Sequence, residues 1–221
     1  MKALVCYGYG APESLQLTEI PRPVPGPGQL LVKVAAVALN PRDILLVTGT
    51  TRDFLPVEPP FIPGMEYAGT VVSIGLDVSQ CAVGDEILAW TYPVFSGTAD
   101  YALVDEGPTV AHRHAGLAAE QAAALPVGAM AAATLLVAVE SGRGRTLLVD
   151  GASGEIGHYL GQLAHRAGHK VFAIACPDDA HLLGDIGTEH PIERRRGAAG
   201  VRAFRPAGGG HRHLAGRRRR Y

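Results

Sequence analysis

No stretch of eighteen apolar residues occurs anywhere in these 221 residues, which excludes an ordinary membrane-spanning helix. The opening Met1-Lys2-Ala3-Leu4-Val5-Cys6 turns polar and glycine-rich at once, unlike a secretory leader, and the expected compartment is the cytoplasm. Cysteine is scarce. Cys6, Cys81 and Cys176 are an odd number with no paired spacing, so neither a disulfide framework nor a cysteine zinc clamp is expected, and they read as small buried hydrophobes. There is no internal repeat, and acid is missing from residue 194 onward. Residues 1–193 carry 10 of the 20 basic residues and all 21 acids, whereas the last 28 residues carry 10 arginines and hardly any large apolar side chain. Such a tail cannot build a core and is expected to be disordered.

What is present is a 47% hydrophobic composition, enough to bury a core in one large domain or two small ones. The first hundred or so residues hold short Val-rich runs, Lys2-Cys6, Gln29-Leu39 and Met65-Gly75, bounded by clusters such as Pro21 to Gly28. These read as strands of a mostly antiparallel unit. Near Gly116 the texture changes: Leu117 to Glu140 is alanine-rich and reads as two helices, with Pro126 ending the first or opening the second. From Thr146 the chain alternates. Thr146-Asp150 is a continuous apolar strand, Glu155-Ala167 has helical periodicity through Ile156, Leu160, Leu163 and Ala164, and Lys170-Ala175 is a second strand. Asp178 to Ile186 suits a further helix and Pro191-Ile192 opens a third strand, the grammar of a parallel sheet. The fold class is therefore α/β with a β-rich N-terminal domain: residues 1–116, then a partial parallel βαβαβ domain over 117–192, then the Arg/Gly-rich tail over 193–221.

Between the first parallel strand and its helix stands Gly151-Ala152-Ser153-Gly154-Glu155-Ile156-Gly157. A dinucleotide site needs a tight turn, a small residue where backbone nears the pyrophosphate, and a glycine where helix meets strand. Ala152, Gly154 and Gly157 stand at those places, and amides at the helix start would face the phosphates. Glycines that merely make a turn are the alternative; the strand before and the periodic helix after favour the dinucleotide. The second strand ends Ala175-Cys176-Pro177. Without an acid at its tip to hold the adenosine ribose, the cofactor leans to NADPH, with NADH open because Asp178 is near and no Arg or Lys stands by for a 2′-phosphate.

Several motifs share an order and spacing: Pro25-Gly26-Pro27-Gly28, Asn40-Pro41-Arg42-Asp43, Pro63-Gly64-Met65-Glu66-Tyr67-Ala68-Gly69, Val83-Gly84-Asp85-Glu86, Ala122-Ala123-Ala124-Leu125-Pro126-Val127 and the glycine turn. On these the chain, over about residues 1–192, resembles the zinc-free quinone oxidoreductase branch of the medium-chain dehydrogenase/reductases, which includes zeta-crystallin-like and enoyl-reductase-like proteins. The resemblance implies a GroES-like substrate domain followed by a Rossmann domain, and hydride transfer from NAD(P)H to a quinone or an activated C=C bond of an enone. It points to Asn40 as a hydrogen-bond donor to a substrate oxygen and to Asp43 near the nicotinamide-side ribose or the substrate. Both also suit helix capping, Asn40 at the cap and Asp43 in the first turn. Where zinc-dependent members carry Cys and His, this chain has Arg42-Asp43 and Met65-Glu66, so no metal is expected. Ala131 replaces a threonine that the family usually has near the nicotinamide.

The pairs His112/His114 and His211/His213 suggest no third ligand and read as solvated histidines. Because Thr146 to Ile192 suffices for one βαβαβ half only, the cofactor domain is expected to be truncated. The tail is then either an out-of-frame product of a GC-rich gene or a basic arm. The partner expected is a small quinone or enone. A membrane and nucleic acid are not expected, and a homodimer through the exposed edge of the first parallel strand is. The alternative is a non-catalytic binding module whose tail contacts nucleic acid or an acidic partner. A short-chain dehydrogenase fits poorly, since its glycine turn would stand near the N-terminus.

Overall fold

A computed structural model describes residues 1–92, 95–139, 144–176, 179, 181–183 and 190–193. The chain falls into two compact units, Met1–Ala138 and Val139–Tyr221.

In the first unit a short antiparallel pair, β1 (Lys2–Val5) and β2 (Gln16–Glu19), stands beside a five-stranded antiparallel sheet. That sheet is built from β3 (Gln29–Ala38), β4 (Glu66–Ile74), β5 (Glu86–Trp90), β6 (Tyr101–Asp105) and β7 (Val110–His112), in the order β6-β3-β4-β5-β7. Alternation along β3 to β6 turns one set of side chains inward, and Leu30, Val32, Tyr67, Val71, Ile87 and Ala102 form its buried core. Burial pushes the Tyr67 hydroxyl far above its ordinary pKa. A second cluster gathers Cys6, Leu46, Val47, Phe61, Met65 and Phe95. Cys6 is therefore the buried hydrophobe expected, and burial raises its thiol pKa.

The helix α1 (Pro41–Val47) follows β3 at once, because Asn40 caps it and Pro41 fits the first turn, where no amide is needed. Pro126 opens a helix: α2 (Ala119–Ala123) ends before it and α3 (Pro126–Val139) begins on it. The contacts divide the chain later than the change of texture at Gly116 does. Ala122 and Ala123 of α2 pack with Ala68 of β4, so α2 belongs to the first unit.

Among its described residues the second unit holds a three-stranded parallel sheet ordered β10-β9-β8, with β8 (Thr146–Asp150), β9 (Lys170–Ala175) and β10 (His190–Glu193). Helix α4 (Glu155–Arg166) crosses from β8 to β9. Its buried positions are Gly157, Gly161 and Ala164, while Ile156 is 41% exposed. Of the periodic set, Ala164 is buried and Leu160 and Leu163 are half-buried, while glycines take the tightest places because small residues let a helix lie close to a strand and its turn. The helix expected over Asp178 to Ile186 falls mostly outside the described residues, as does the tail from residue 194. Among the described residues, no helix is long and apolar enough to cross a membrane.

Candidate functional site

In the first unit three buried polar side chains meet. Asn40 has extended backbone at the N-cap of α1 (φ −104°, ψ 158°), and Asp43 Oδ2 accepts its backbone N–H at 2.8 Å. The capping reading therefore holds. The Asp43 Oδ1 accepts from Gly64 N at 2.9 Å, joining α1 to the loop that leads into β4. Gly64 has φ +95°, and a Cβ there would lie 2.9 Å from Thr98 N, so only glycine brings this amide to the carboxylate. Burial raises the Asp43 pKa, and the backbone hydrogen bonds partly oppose the rise.

The Asn40 Nδ2 donates to Glu66 Oε1 at 2.8 Å, and the other Glu66 oxygen accepts from Val127 N at 2.8 Å. Glu66 is 1% exposed. Its acceptor oxygens fix the amide with nitrogen inward, and one of the two Nδ2 hydrogens remains outside this bond. Glu66 was not among the expected site residues. Its signal in sequence was an acid opening an otherwise apolar strand. Beside Asn40 and Asp43 lies a cavity of about 370 Å³ with apolar walls from Leu4, Leu15, Ile44 and Val47, within the size range of small-molecule pockets.

Where zinc-dependent relatives would bind metal, both Asp43 oxygens accept backbone amides and Met65 is buried in the core. Thr134 does not stand in for the missing threonine, since its exposed hydroxyl bonds to the Met130 carbonyl in its own helix.

In the second unit the glycine turn links β8 to α4. Gly151 has φ +79° and Ala152 is fully buried. Gly151 N and Ala152 N both donate to Ile174 O of β9, which ties the turn to the second strand. A Cβ on Gly157 would lie 2.8 Å from Ala152 Cα, so this glycine sits where helix meets strand end. Gly154 is the N-cap without a side-chain cap. The amides of Glu155, Ile156 and Gly157 in the first turn have no intrahelical acceptor, and the helix dipole turns its positive end toward that space. The turn thus fits a dinucleotide pyrophosphate. The Ile156 side chain is 41% exposed, with its amide in the first turn of α4. Glu155 is exposed, and Cys176 lies half-buried at the end of β9. The structure adds a contact the sequence did not offer: Ser153 Oγ donates to Asp179 Oδ2 at 3.0 Å, bringing a carboxylate beside the turn. Asp178 lies outside the described residues.

The histidine pair at 112 and 114 separates. His114 Nδ1 accepts from Gly116 N in its own turn, while His112 comes to Cys81 and Asp85.

Residues 26–140 match the alcohol dehydrogenase GroES-like domain. The chain is 34% identical over 201 residues to the chloroplastic quinone-oxidoreductase QR1 of Triphysaria versicolor, covering 87% of this chain and 61% of that protein. It is 30% identical to the mitochondrial NAD(P)H oxidoreductase RTN4IP1 of Bos taurus, covering 89% and 54%. Among solved structures, the quinone oxidoreductase of Coxiella burnetii aligns with TM-score 0.79 at 29% identity, over 87% of this chain and 62% of that one. A mycobacterial protein complexed with NADPH aligns at 0.75 and 28%, covering 89% and 60%. The CurK enoyl reductase aligns at 0.76 and 26%, covering 87% and 59%. The chain belongs to the medium-chain dehydrogenase/reductase superfamily, in its quinone-oxidoreductase-like branch. It spans about half to three fifths of the length of the relatives it matches.

The expected cytoplasmic location is overturned, because relatives named as chloroplastic and mitochondrial point to an organelle. The lack of a long apolar run tests only for membrane and secretory segments. It carries no information on compartment beyond that.

Proposed function

We propose that the protein is an NAD(P)H-dependent oxidoreductase that delivers a hydride to a quinone or an enone without zinc. The observation that carries this reading is the turn Gly151–Gly157, where Gly157 leaves no room for a Cβ and three helix-start amides face outward. The relatives' names support it. When bound, the nicotinamide supplies the hydride.

The chain's own residues bind and orient. The second Nδ2 hydrogen of Asn40 donates to the substrate oxygen as negative charge develops there, and Glu66 holds the amide in that orientation. Asp43 positions Asn40 through the cap. The apolar cavity beside them suits a flat, uncharged ring better than a polyol or an anion. Such a ring is the quinone or enone substrate. Asp43 and Glu66 already accept amide hydrogens, which supports chemistry without a metal at that place.

The reductant proposed is NADPH. Cys176, the residue directly after β9, is not an acid, and a structural neighbour was solved with NADPH; the Asp179 carboxylate beside the turn works against that preference. Titration of the purified chain with NADPH and NADH, followed by quinone reduction, tests the reading. Saturable binding is expected, and no binding of either nucleotide would overturn it. Among the described residues β8 pairs on one side only, with Leu148 59% exposed, so self-association through β8 is expected in sedimentation.

A further inference from the structure

Cys81, Asp85 and His112 each offer a ligand atom, and these atoms lie within 4.8 Å of one another. No residue of this trio belongs to the Asn40–Asp43–Glu66 network or to the glycine turn. Cys81 and Asp85 flank the turn that leads from β4 into β5, and His112 ends β7, placed by its pairing with Ile87. The three are brought together by sheet register.

The surroundings are built. Glu106 accepts the amides of Ser79, Gln80 and Cys81 at 2.7–2.9 Å, which pins the loop that carries the thiol. Asp85 Oδ2 accepts from Ala82 N at 2.8 Å, fixing the second donor on the same turn. His112 Nε2 lies 3.3 Å from the Gln80 carbonyl. An N–H there donates to that oxygen and leaves Nδ1 as the lone-pair nitrogen, 3.8 Å from Asp85 Oδ2. A backbone carbonyl holding the far ring nitrogen is the usual support of a metal-binding histidine. Burial first, then the negative charges of Glu106 and Asp85, act on the Cys81 sulfur, and a bound cation would offset those charges.

An ordinary ion pair explains less. At 3.8 Å the His112 and Asp85 atoms are too far apart for a hydrogen bond, and an exposed pair of this kind contributes little. Tetrahedral zinc, with bonds of about 2.0–2.3 Å, needs donors about 3.3–3.6 Å apart. Ligation therefore closes the widest donor separation, up to 4.8 Å, by more than about 1 Å. A thiolate with imidazole and one carboxylate suits zinc and excludes magnesium and calcium, which take oxygen alone.

We propose that this chain binds one zinc ion through Cys81 Sγ, Asp85 and His112 Nδ1, with water in the fourth position, fastening the β4–β5 turn to β7.

The test is cobalt titration of the full chain. A strong thiolate-to-cobalt absorption is expected, saturating at one equivalent and displaced by zinc. It should vanish in Cys81→Ser and survive in Cys6→Ser and Cys176→Ser, while His112→Gln weakens binding at least about tenfold. Cobalt bands without a sulfur contribution would mean binding by other histidines and would overturn the proposal, as would a sulfur band that survives Cys81→Ser. On the unaltered chain, zinc should slow alkylation of Cys81, located by peptide mapping. Alkylation of Cys81 unchanged in excess zinc would overturn it independently of any variant's folding.

Discussion

The side chains of Asn40 and Glu66, 26 positions apart in sequence, meet at 2.8 Å with both residues buried. The carboxylate also receives Val127 N, so it joins the helix cap of α1 to the start of α3. Glu66→Gln supplies one acceptor oxygen for two donors and turns an NH2 toward the other. An unsatisfied buried donor costs about 1–3 kcal/mol, which a urea melt would register. Asn40→Ala and Glu66→Gln should be non-additive in stability by about 0.5 kcal/mol or more. Quinone reduction should fall in both variants with the KM for NADPH little changed.

Asp43 gives a pH signature. Burial raises its pKa above the ordinary 3.8, against the pull of amide hydrogen bonds from Asn40 and Gly64. A carboxyl with a raised folded-state pKa stabilises the fold fully below its unfolded value, and that stability is lost as pH rises through the folded value. Asp43→Asn removes this dependence and leaves one amide facing an NH2, at a cost of about 1–3 kcal/mol. The stability gap between wild type and variant should narrow as pH rises above 3.8. A gap that widens would show the sign to be wrong.

Much of the fold was legible because its signals are local. The apolar run Thr146-Asp150 and the run Lys170-Ala175 are the strands β8 and β9, and Pro126 does open a helix. On α4 the periodic set is half-buried or buried at Leu160, Leu163 and Ala164, and the exposed member is Ile156, because the tightest positions go to Gly157 and Gly161. The site was less legible for a different reason. Glu66 with Asn40, Ser153 with Asp179, and His112 with Cys81 are brought together across 26 to 31 positions by sheet register and loop paths. Spacing within a motif carries none of that information, whereas the glycine turn, contained in seven residues, could be read directly.

The turn itself separates folding from binding. Gly157→Ala sets a Cβ against the Gly151 and Ala152 backbone, which cannot move aside as a flexible side chain could. Overpacking of this kind costs about 1–3 kcal/mol, and NADPH binding should be lost with it. At Gly154 a Cβ would meet only Gly151 O, at 3.3 Å, and the backbone is already ordinary at φ −76°. Gly154→Ala should therefore keep a near-normal melting temperature while weakening NADPH, read by nucleotide fluorescence. Unchanged NADPH affinity in Gly154→Ala would remove the pyrophosphate from this turn.

Asp179 bears on which nucleotide is preferred. Its carboxylate is held at 3.0 Å by Ser153 Oγ, and the Asp179 amide donates to Cys176 O at 3.0 Å, so its charge is fixed at the end of β9. A carboxylate there suits a ribose hydroxyl and repels a 2′-phosphate. For solvent-exposed groups with water-like screening such repulsion is on the order of 1 kcal/mol at about 4 Å, or several-fold in affinity. Asp179→Asn keeps an oxygen for Ser153 and removes the charge. It should tighten NADPH several-fold and leave NADH unchanged or slightly weaker. Asp179→Ala also releases Ser153, so any further loss common to both nucleotides measures the anchoring of the turn. Equal changes for NADPH and NADH in Asp179→Asn would mean that the carboxylate acts through turn geometry alone.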